Sequence, residues 1–250
     1  MFLLLPVALL HAQEADSIAT DRPDFVESSQ VVGKGRLQVE SSVALERDRV
    51  DGVRARTLST PLLLRYGIAD TVELRVETDG RLHSSIDGLP LQRGYSDASV
   101  GAKWHLREQD GALPATAILA HVDLRTGSQA VRAAAPRPSL RVVGEWEWAD
   151  EFSFGLMPGI ASERDEHGAR RTSAIFAAVL GRQWSDRLRS FIEIAAPRLA
   201  RSRDGGSQVT LDIGAAYLLS PTVQLDTALA RGLNRHTADL SWTVGLSFKL

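Results

Sequence analysis

The strongest constraint on what this chain can fold into is an alternation of apolar and polar side chains that recurs along most of its length. In the first such stretch Leu37, Val39, Val43 and Leu45 are separated by polar residues, and in the last every second residue from 240 to 250 is apolar. Successive side chains of a β-strand point to opposite faces, so a two-residue period predicts strands with one apolar and one polar face. About twelve stretches of this kind predict an all-β fold.

The connections between these stretches alternate in kind. Short connections rich in Asp, Gly or Pro alternate with longer, charged ones. Hairpins joined in this way place all short turns at one end of the sheet and all long loops at the other. An even number of about twelve strands with this asymmetry predicts a transmembrane antiparallel up-and-down β-barrel. The predicted long loops are Arg47–Arg54, Asp79–Arg93, Thr126–Pro138, Ser162–Arg171, Arg198–Ser207 and Gly232–Ala238.

Average composition alone would favour a soluble protein, because the 250 residues are 44% hydrophobic and 24% charged. A soluble barrel or sandwich would turn its charged face to water. About twelve strands closed around an apolar interior, however, would leave voids or need a large ligand. Aromatic residues near strand ends favour a membrane barrel, which carries aromatic girdles there; they are Tyr66, Trp104, Trp146, Trp148 and Phe248.

In a membrane barrel the apolar faces meet lipid and the polar faces line the lumen. The expected lumen-lining residues are Glu40, Arg65, Glu73, Arg75, Glu77, Asp97, Lys103, His105, His121, Asp123, Arg141, Glu145, Glu147, Glu193, Asp212 and Asp226, with Arg189 and Lys249 as further basic residues. Such charges could form ion-pair ladders that stiffen or close the barrel, or line a water-filled path. One stretch, residues 174–180, is apolar on both faces and leaves its register open.

The two ends of the chain add expectations about export. Apolar residues 1–10, followed by small and polar ones, indicate a signal peptide over residues 1–13, with a buried N-terminal strand or helix as the alternative. Residues 14–34 are then expected to lie in the periplasm or to enter the lumen as a plug, and residues 35–250 to form the barrel. The final strand resembles the C-terminal signal of bacterial outer-membrane barrels, which makes the barrel-assembly machinery an expected partner.

The stretch before the first strand resembles a known bacterial family. Thr20-Asp21-Arg22-Pro23-Asp24-Phe25-Val26-Glu27-Ser28, followed by Gly35-Arg36-Leu37-Gln38-Val39-Glu40, is similar to the N-terminal block of an outer-membrane family labelled "putative MetA-pathway of phenol degradation" or simply "transporter". The resemblance spans roughly residues 20–250 and departs from the usual pattern at Val26 and Leu250. It implies a barrel in the outer membrane of a Gram-negative bacterium that passes small, often aromatic or hydrophobic, molecules. It implies no residue-level mechanism.

Other function classes find less support. The 29 basic and 31 acidic residues leave no basic excess for nucleic acid, and the absence of cysteine excludes disulfides and thiol catalysis. The six histidines show no ligand spacing, so neither a metal nor a cofactor is expected. The nearest catalytic set is His121 with Asp123, and His105 on another strand, without a nucleophile elbow beside them.

The sequence therefore predicts a non-enzymatic channel whose partners are the lipid bilayer and a small-molecule solute. Two alternatives stay open: a structural or adhesive barrel with a closed, ion-paired interior, and a barrel enzyme that acts on lipid.

Overall fold

The computed structural model describes residues 17–50, 52–149, 151–164, 168–201 and 206–250. The signal peptide predicted over residues 1–13 lies outside the described residues. Within the described part of the chain there is no helix long and apolar enough to cross a membrane.

Sixteen β-strands make up the described fold. In chain order they are β1 (Leu37–Val50), β2 (Val53–Ser59), β3 (Leu62–Ala69), β4 (Val72–Thr78), β5 (Arg81–Ile86), β6 (Gln92–Tyr95), β7 (Ala98–Arg107), β8 (Ala115–Asp123), β9 (Arg137–Trp148), β10 (Phe152–Leu156), β11 (Gly159–Arg164), β12 (Arg170–Ser185), β13 (Leu188–Leu199), β14 (Gln208–Ser220), β15 (Val223–Gly232) and β16 (Leu240–Lys249).

These strands form one closed, antiparallel barrel. Twelve strand positions, called staves here, follow one another around it. Four staves are each broken once, so that β2 continues into β3, β4 into β5, β6 into β7 and β10 into β11. The barrel closes between its first and last strands, where β1 pairs antiparallel with β16 from Gln38 opposite Lys249 to Arg47 opposite Leu240. The predicted fold class, an up-and-down barrel of about twelve strands, is confirmed.

Three of the predicted long loops are wrong. Most of the described residues of Ser162–Arg171 belong to β11 and β12, which pair as far as Arg164 opposite Arg170. In place of a loop over Arg47–Arg54, β1 and β2 continue as a paired ribbon as far as Val50 opposite Val53. In place of a loop over Asp79–Arg93, β5 and β6 extend the same sheet. The sequence does not indicate these strands, because they are rich in charged residues. Once a sheet leaves the membrane both of its faces are polar, and the alternation of apolar and polar side chains disappears.

The burial of neighbouring residues on β1 separates the two surfaces of the barrel. Gln38 and Glu40 point inward and are fully buried, whereas Val43 points outward and is 53% exposed. Because the strands are in register, the outward residues of all staves form one apolar belt, to which Val244 and Leu246 of β16 belong. A closed sheet with an apolar exterior is stable in the hydrocarbon core of a membrane, because hydrocarbon offers no hydrogen-bond partner for an unpaired strand edge.

Aromatic side chains border this belt near the short turns. On the outer surface Trp146 packs against Phe154 with 5.8 Å between ring centroids, and Trp148 stacks on Phe152 at 6.3 Å. Tyr66 and Trp104 are also exposed there. This arrangement is the interfacial girdle expected of a membrane barrel.

The doubly apolar stretch over residues 174–180 has a defined register on β12. Phe176 and Leu180 face outward, while Ile175, Ala177 and Val179 are buried on the inner side. There Ala177 and Val179 belong to an apolar cluster that includes Leu119 and Val143 of the wall, and also Val26 from the segment before β1. The stretch is apolar on both faces because its inner face packs against protein rather than water.

Candidate functional site

The N-terminal segment, residues 17–34, runs along the inner wall of the barrel. At its start the amide of Ile18 donates a hydrogen bond to the carbonyl of Pro221, in the short connection between β14 and β15. At its end Lys34 bridges to Gly67 of β3, beside another short connection. Both ends of the segment therefore lie at the short-turn end of the barrel, and the residues between them reach inward and return.

A buried charge cluster joins the segment to strands β1, β3, β4, β7 and β9. Its centre is the Asp21 carboxylate, which lies 2.8 Å from Nζ of Lys103 and 3.4 Å from Nη1 of Arg65, and also contacts Arg75. Glu27 bridges Arg75 at 2.7 Å and Arg141 at 2.8 Å. In full, the cluster contains the carboxylates of Asp21, Glu27, Glu40 and Glu73 and the cations of Arg65, Arg75, Lys103 and Arg141.

The cluster keeps both segment carboxylates ionised. Burial by itself would raise the pKa of the Asp21 carboxyl, but the positive charges of Arg65, Lys103 and Arg75 outweigh it and lower the pKa well below its usual range. Burial likewise opposes ionisation of Glu27, whose pKa is nevertheless lowered, chiefly by the Arg75 guanidinium.

Carboxylates of the wall accept hydrogen bonds from the backbone of the segment. Glu193 accepts from the amides of Phe25 and Val26, each at 2.7 Å, and Glu40 accepts from those of Asp21 and Arg22 at 3.1 Å. In the same way, Glu145 accepts from the amide of Ser29, and Glu73 from the amide of Val32.

Cations of the wall bind the carbonyls of the same segment. Arg65 donates to the carbonyls of Ala19 and Gln30, at 2.7 and 2.9 Å, and Lys103 donates to that of Ser28 at 2.7 Å. Irregular backbone at membrane depth is stable only where protein or water satisfies its peptide groups. The mixed charges of the lumen thus do more than pair with each other, because they supply the donors and acceptors that a strandless segment needs.

The innermost part of the segment is apolar. Phe25 packs against the apolar cluster of the wall, with the guanidinium of Arg141 5.6 Å from the centre of its ring. Val26 lies against Gly155 of β10, where a Cβ atom would come within 2.9 Å of a Val26 methyl group. A glycine on the wall at this point lets the segment approach closely.

Cavities lie on both sides of this contact. Toward the short turns, a cavity of about 420 Å³ is bordered by Val26 and by the small residues Ser153, Gly181 and Ala216. Toward the long loops, a cavity of about 610 Å³ is bordered by Phe25 and by polar wall residues such as Asp123. Both volumes fall in the range of roughly 300–1,000 Å³ that is usual for small-molecule sites.

The other residues expected in the lumen lie beside the segment or toward the two ends of the barrel. Asp97 accepts hydrogen bonds from the amides of Gly127 and Ala133, each at 2.8 Å, and so holds the loop between β8 and β9. Asp212 and Glu77 border a further cavity of about 230 Å³, which is also lined by Phe25 of the segment. Asp226 is buried on β15, and Glu147 borders the cavity at the short-turn end.

The three residues of the nearest candidate catalytic set contact other partners. The side chain of Asp123 pairs with Arg137 at 3.1 Å, whereas Nδ1 of His121 lies 3.7 Å from Glu77. Nδ1 of His105 is 2.9 Å from the carbonyl of Ser29, so this histidine contacts the N-terminal segment.

Sequence reasoning omitted two uncharged members of the site. Gln38 donates to the carbonyl of Ala19 at 2.9 Å, and Gln224 donates to Oγ1 of Thr20 at 2.8 Å. Both occupy inward positions in the alternation of their strands, which was the available signal. Arg189, a further basic residue of the lumen, lies 3.2 Å from Asp24.

A closed twelve-stranded barrel with an apolar exterior and a polar interior defines an outer-membrane β-barrel protein. The sequence matches, over residues 20–250, the family described as "Putative MetA-pathway of phenol degradation", and the chain belongs to that family. The match begins at Thr20, at the start of the Thr20–Phe25 motif that binds the wall.

Solved structures share this fold at low sequence identity. The COG4313 outer membrane channel from Pseudomonas putida F1 is 12% identical with a TM-score of 0.68, over 89% of this chain and 98% of that one. The NanC porin is 12% identical with a TM-score of 0.56, over 86% of this chain and 100% of that one. The KdgM porin is 13% identical with a TM-score of 0.53, over 84% and 98%. No curated protein matches the sequence.

Proposed function

We propose that this protein is a passive channel for small solutes and that its N-terminal segment is a plug that sets the width of the path. The observation that carries the proposal is that the N-terminal segment fills the middle of the lumen. Between the cavities of about 420 and 610 Å³ lies a segment that belongs to no strand, is continuous with β1 at its C-terminal end and packs among the wall side chains. A barrel built only for rigidity would fill this space from its own strands.

The proposed solutes are small molecules that include aromatic and hydrophobic ones. The description of the family names phenol degradation, which fits this class. Apolar Phe25 and Val26 between the two cavities, flanked by charged groups, would let a solute with one apolar and one polar side pass between unlike surfaces.

Deletion of residues 18–32 tests the channel and the plug together. We expect single-channel conductance in planar bilayers to rise several-fold, and liposomes containing the variant to swell faster in phenolic solutes than those containing the intact protein. The wall variant Glu193→Ala, which removes the acceptor for two segment amides, should raise conductance in the same direction.

Glu147→Ala is the matched control, because this carboxylate borders the same lumen but makes no hydrogen bond to the described part of the segment. Unchanged conductance in the deletion would refute the plug. Absence of swelling in both proteins, with phenolic and sugar solutes alike, would favour a closed structural barrel, and lipid hydrolysis lost in His121→Ala would favour an enzyme.

Two expectations about biogenesis accompany this proposal. We propose that residues 1–13 are an export signal and that the β16 strand, ending at Phe248 and Leu250, is recognised by the barrel-assembly machinery. The alternation of apolar residues along β16 supports the second expectation.

A further inference from the structure

At the long-loop end, four strands leave the membrane part of the barrel as a small sheet in the order β1, β2, β5, β6. The outer side of this sheet continues the lipid-facing surface of the staves below it. Every charged residue that these strands place on the outer side, counted over the described residues, is basic or histidine. The six arginines are called here the outer arginine face: Arg47, Arg49, Arg54, Arg56, Arg81 and Arg93.

Charges on this sheet are sorted by side. On β1 the acidic residues Glu46 and Asp48 alternate with Arg47 and Arg49, so the acids point inward and the arginines outward. The sheet thus has carboxylates available but holds them away from the arginines, where they cannot neutralise the outer side.

The register of the sheet places arginines directly opposite one another. Arg47 is the partner of Arg56, and Arg49 is the partner of Arg54. Like charges in such cross-strand pairs are destabilising unless an anion lies between them. Within the described residues, the one ion pair of the outer arginine face joins Arg54 to Asp87 at 3.3 Å.

The position of the outer arginine face relative to the membrane indicates which anion would lie between these arginines. On the same outer side, one row closer to the hydrocarbon, lie Trp242, Leu45 and Leu58, which are consecutive partners across three strands. Arg47 and Arg56 form the next row, about 7 Å further along the strands. The basic row therefore begins at the depth of the lipid headgroups.

We propose that the outer arginine face binds the phosphorylated headgroup of lipid A, the anchor of lipopolysaccharide in the outer leaflet. The planar guanidinium group pairs with phosphate through two parallel hydrogen bonds, and clusters of basic residues beside a membrane recognise anionic lipid in this way. A phosphate between Arg47 and Arg56 would neutralise their repulsion, while the acyl chains would extend along the apolar row beneath.

The test compares lipid A retained by the purified full-length barrel and by the variant Arg47→Gln/Arg56→Gln, by native mass spectrometry after detergent exchange. We expect the apparent affinity of the variant for bisphosphorylated lipid A to fall about tenfold or more, since charge-assisted contacts contribute factors of that order. Dephosphorylated lipid A should bind both proteins equally weakly.

Arg125→Gln/Arg137→Gln is the matched control, because it removes the same charge from the long-loop end but not from the outer arginine face; the Arg137 side chain pairs with Asp123. Heat-dependent gel mobility reports whether each variant is folded, and Arg81→Gln/Arg93→Gln repeats the test on β5 and β6 if the first variant fails to fold. Equal retention by variant and wild type, equal loss in the control, or displacement of lipid A by millimolar inorganic phosphate would overturn the proposal.

Discussion

At the scale of single residues, Asp21 is the group on which the interior depends most. Its carboxylate is shared by Arg65, Arg75 and Lys103, all of them buried. The variant Asp21→Asn would leave three carboxylates against four cations in the cluster. Breaking a buried ion pair by removing one partner costs about 3–5 kcal/mol. We expect a lower midpoint temperature for the heat-dependent shift in gel mobility, together with higher conductance.

The ion pairs of the same residue should resist acid. A carboxyl group whose pKa is lowered in the folded state adds stability above its unfolded pKa, and this stability is lost only as the pH falls through the folded value. The pKa of Asp21 is lowered well below its usual range, so the difference in conductance between the wild type and Asp21→Asn should persist from neutral pH down into the mildly acidic range. Loss of that difference at the ordinary pKa of an aspartate would contradict the geometry of the cluster.

At the scale of elements, the return limb of the segment meets β3 at Gly67. A Cβ atom at this position would lie 1.7 Å from the carbonyl oxygen of Gly33, and the Gly67 carbonyl accepts a hydrogen bond from the amide of Gly35 at 2.8 Å. Gly67→Val should therefore push the segment away from the rim while the ladder between β3 and β4 stays intact. Trypsin should cleave after Lys34 faster in this variant, and Gly144→Val, where a Cβ would make only ordinary contacts at 3.4 Å or more, controls for a general loss of stability.

The elements also show how far the sequence leads. Alternation predicted the strand that carries Glu40 and the strand that carries Arg65, and it predicted that both side chains face inward. It could not predict β5 or the outer ends of β1 and β2, because a sheet with two polar faces has no apolar period. Nor could it predict that Glu193 binds the amides of Phe25 and Val26. The alternation shows which face of a strand a residue occupies, but not which residue lies opposite it across the lumen. Backbone amides, moreover, are present at nearly every residue, so no side chain in the sequence identifies the donors.

At the scale of the whole molecule, the lipid-facing belt makes the cost of a charge depend on depth. Val244 lies near the middle of β16 and Leu240 at its long-loop end, and both are outward. Arginine on the lipid face costs roughly 2–4 kcal/mol at the midplane and 0–1 kcal/mol near the interface. Val244→Arg should lower the stability of the barrel in lipid vesicles, measured by denaturant unfolding, much more than Leu240→Arg does. Equal effects would place the belt at a different depth.

The position of the segment in the chain also sets an order of assembly. Residues 17–34 come before every strand, yet their partners include Glu40 on the first strand, Glu193 on β13 and Gln224 on β15. Their binding site is therefore incomplete until the last strand has closed the barrel against the first. A segment that precedes the strands in sequence thus finds its place only after the last of them has paired. Because both ends of the segment lie at the short turns, its docking is completed from that side of the barrel.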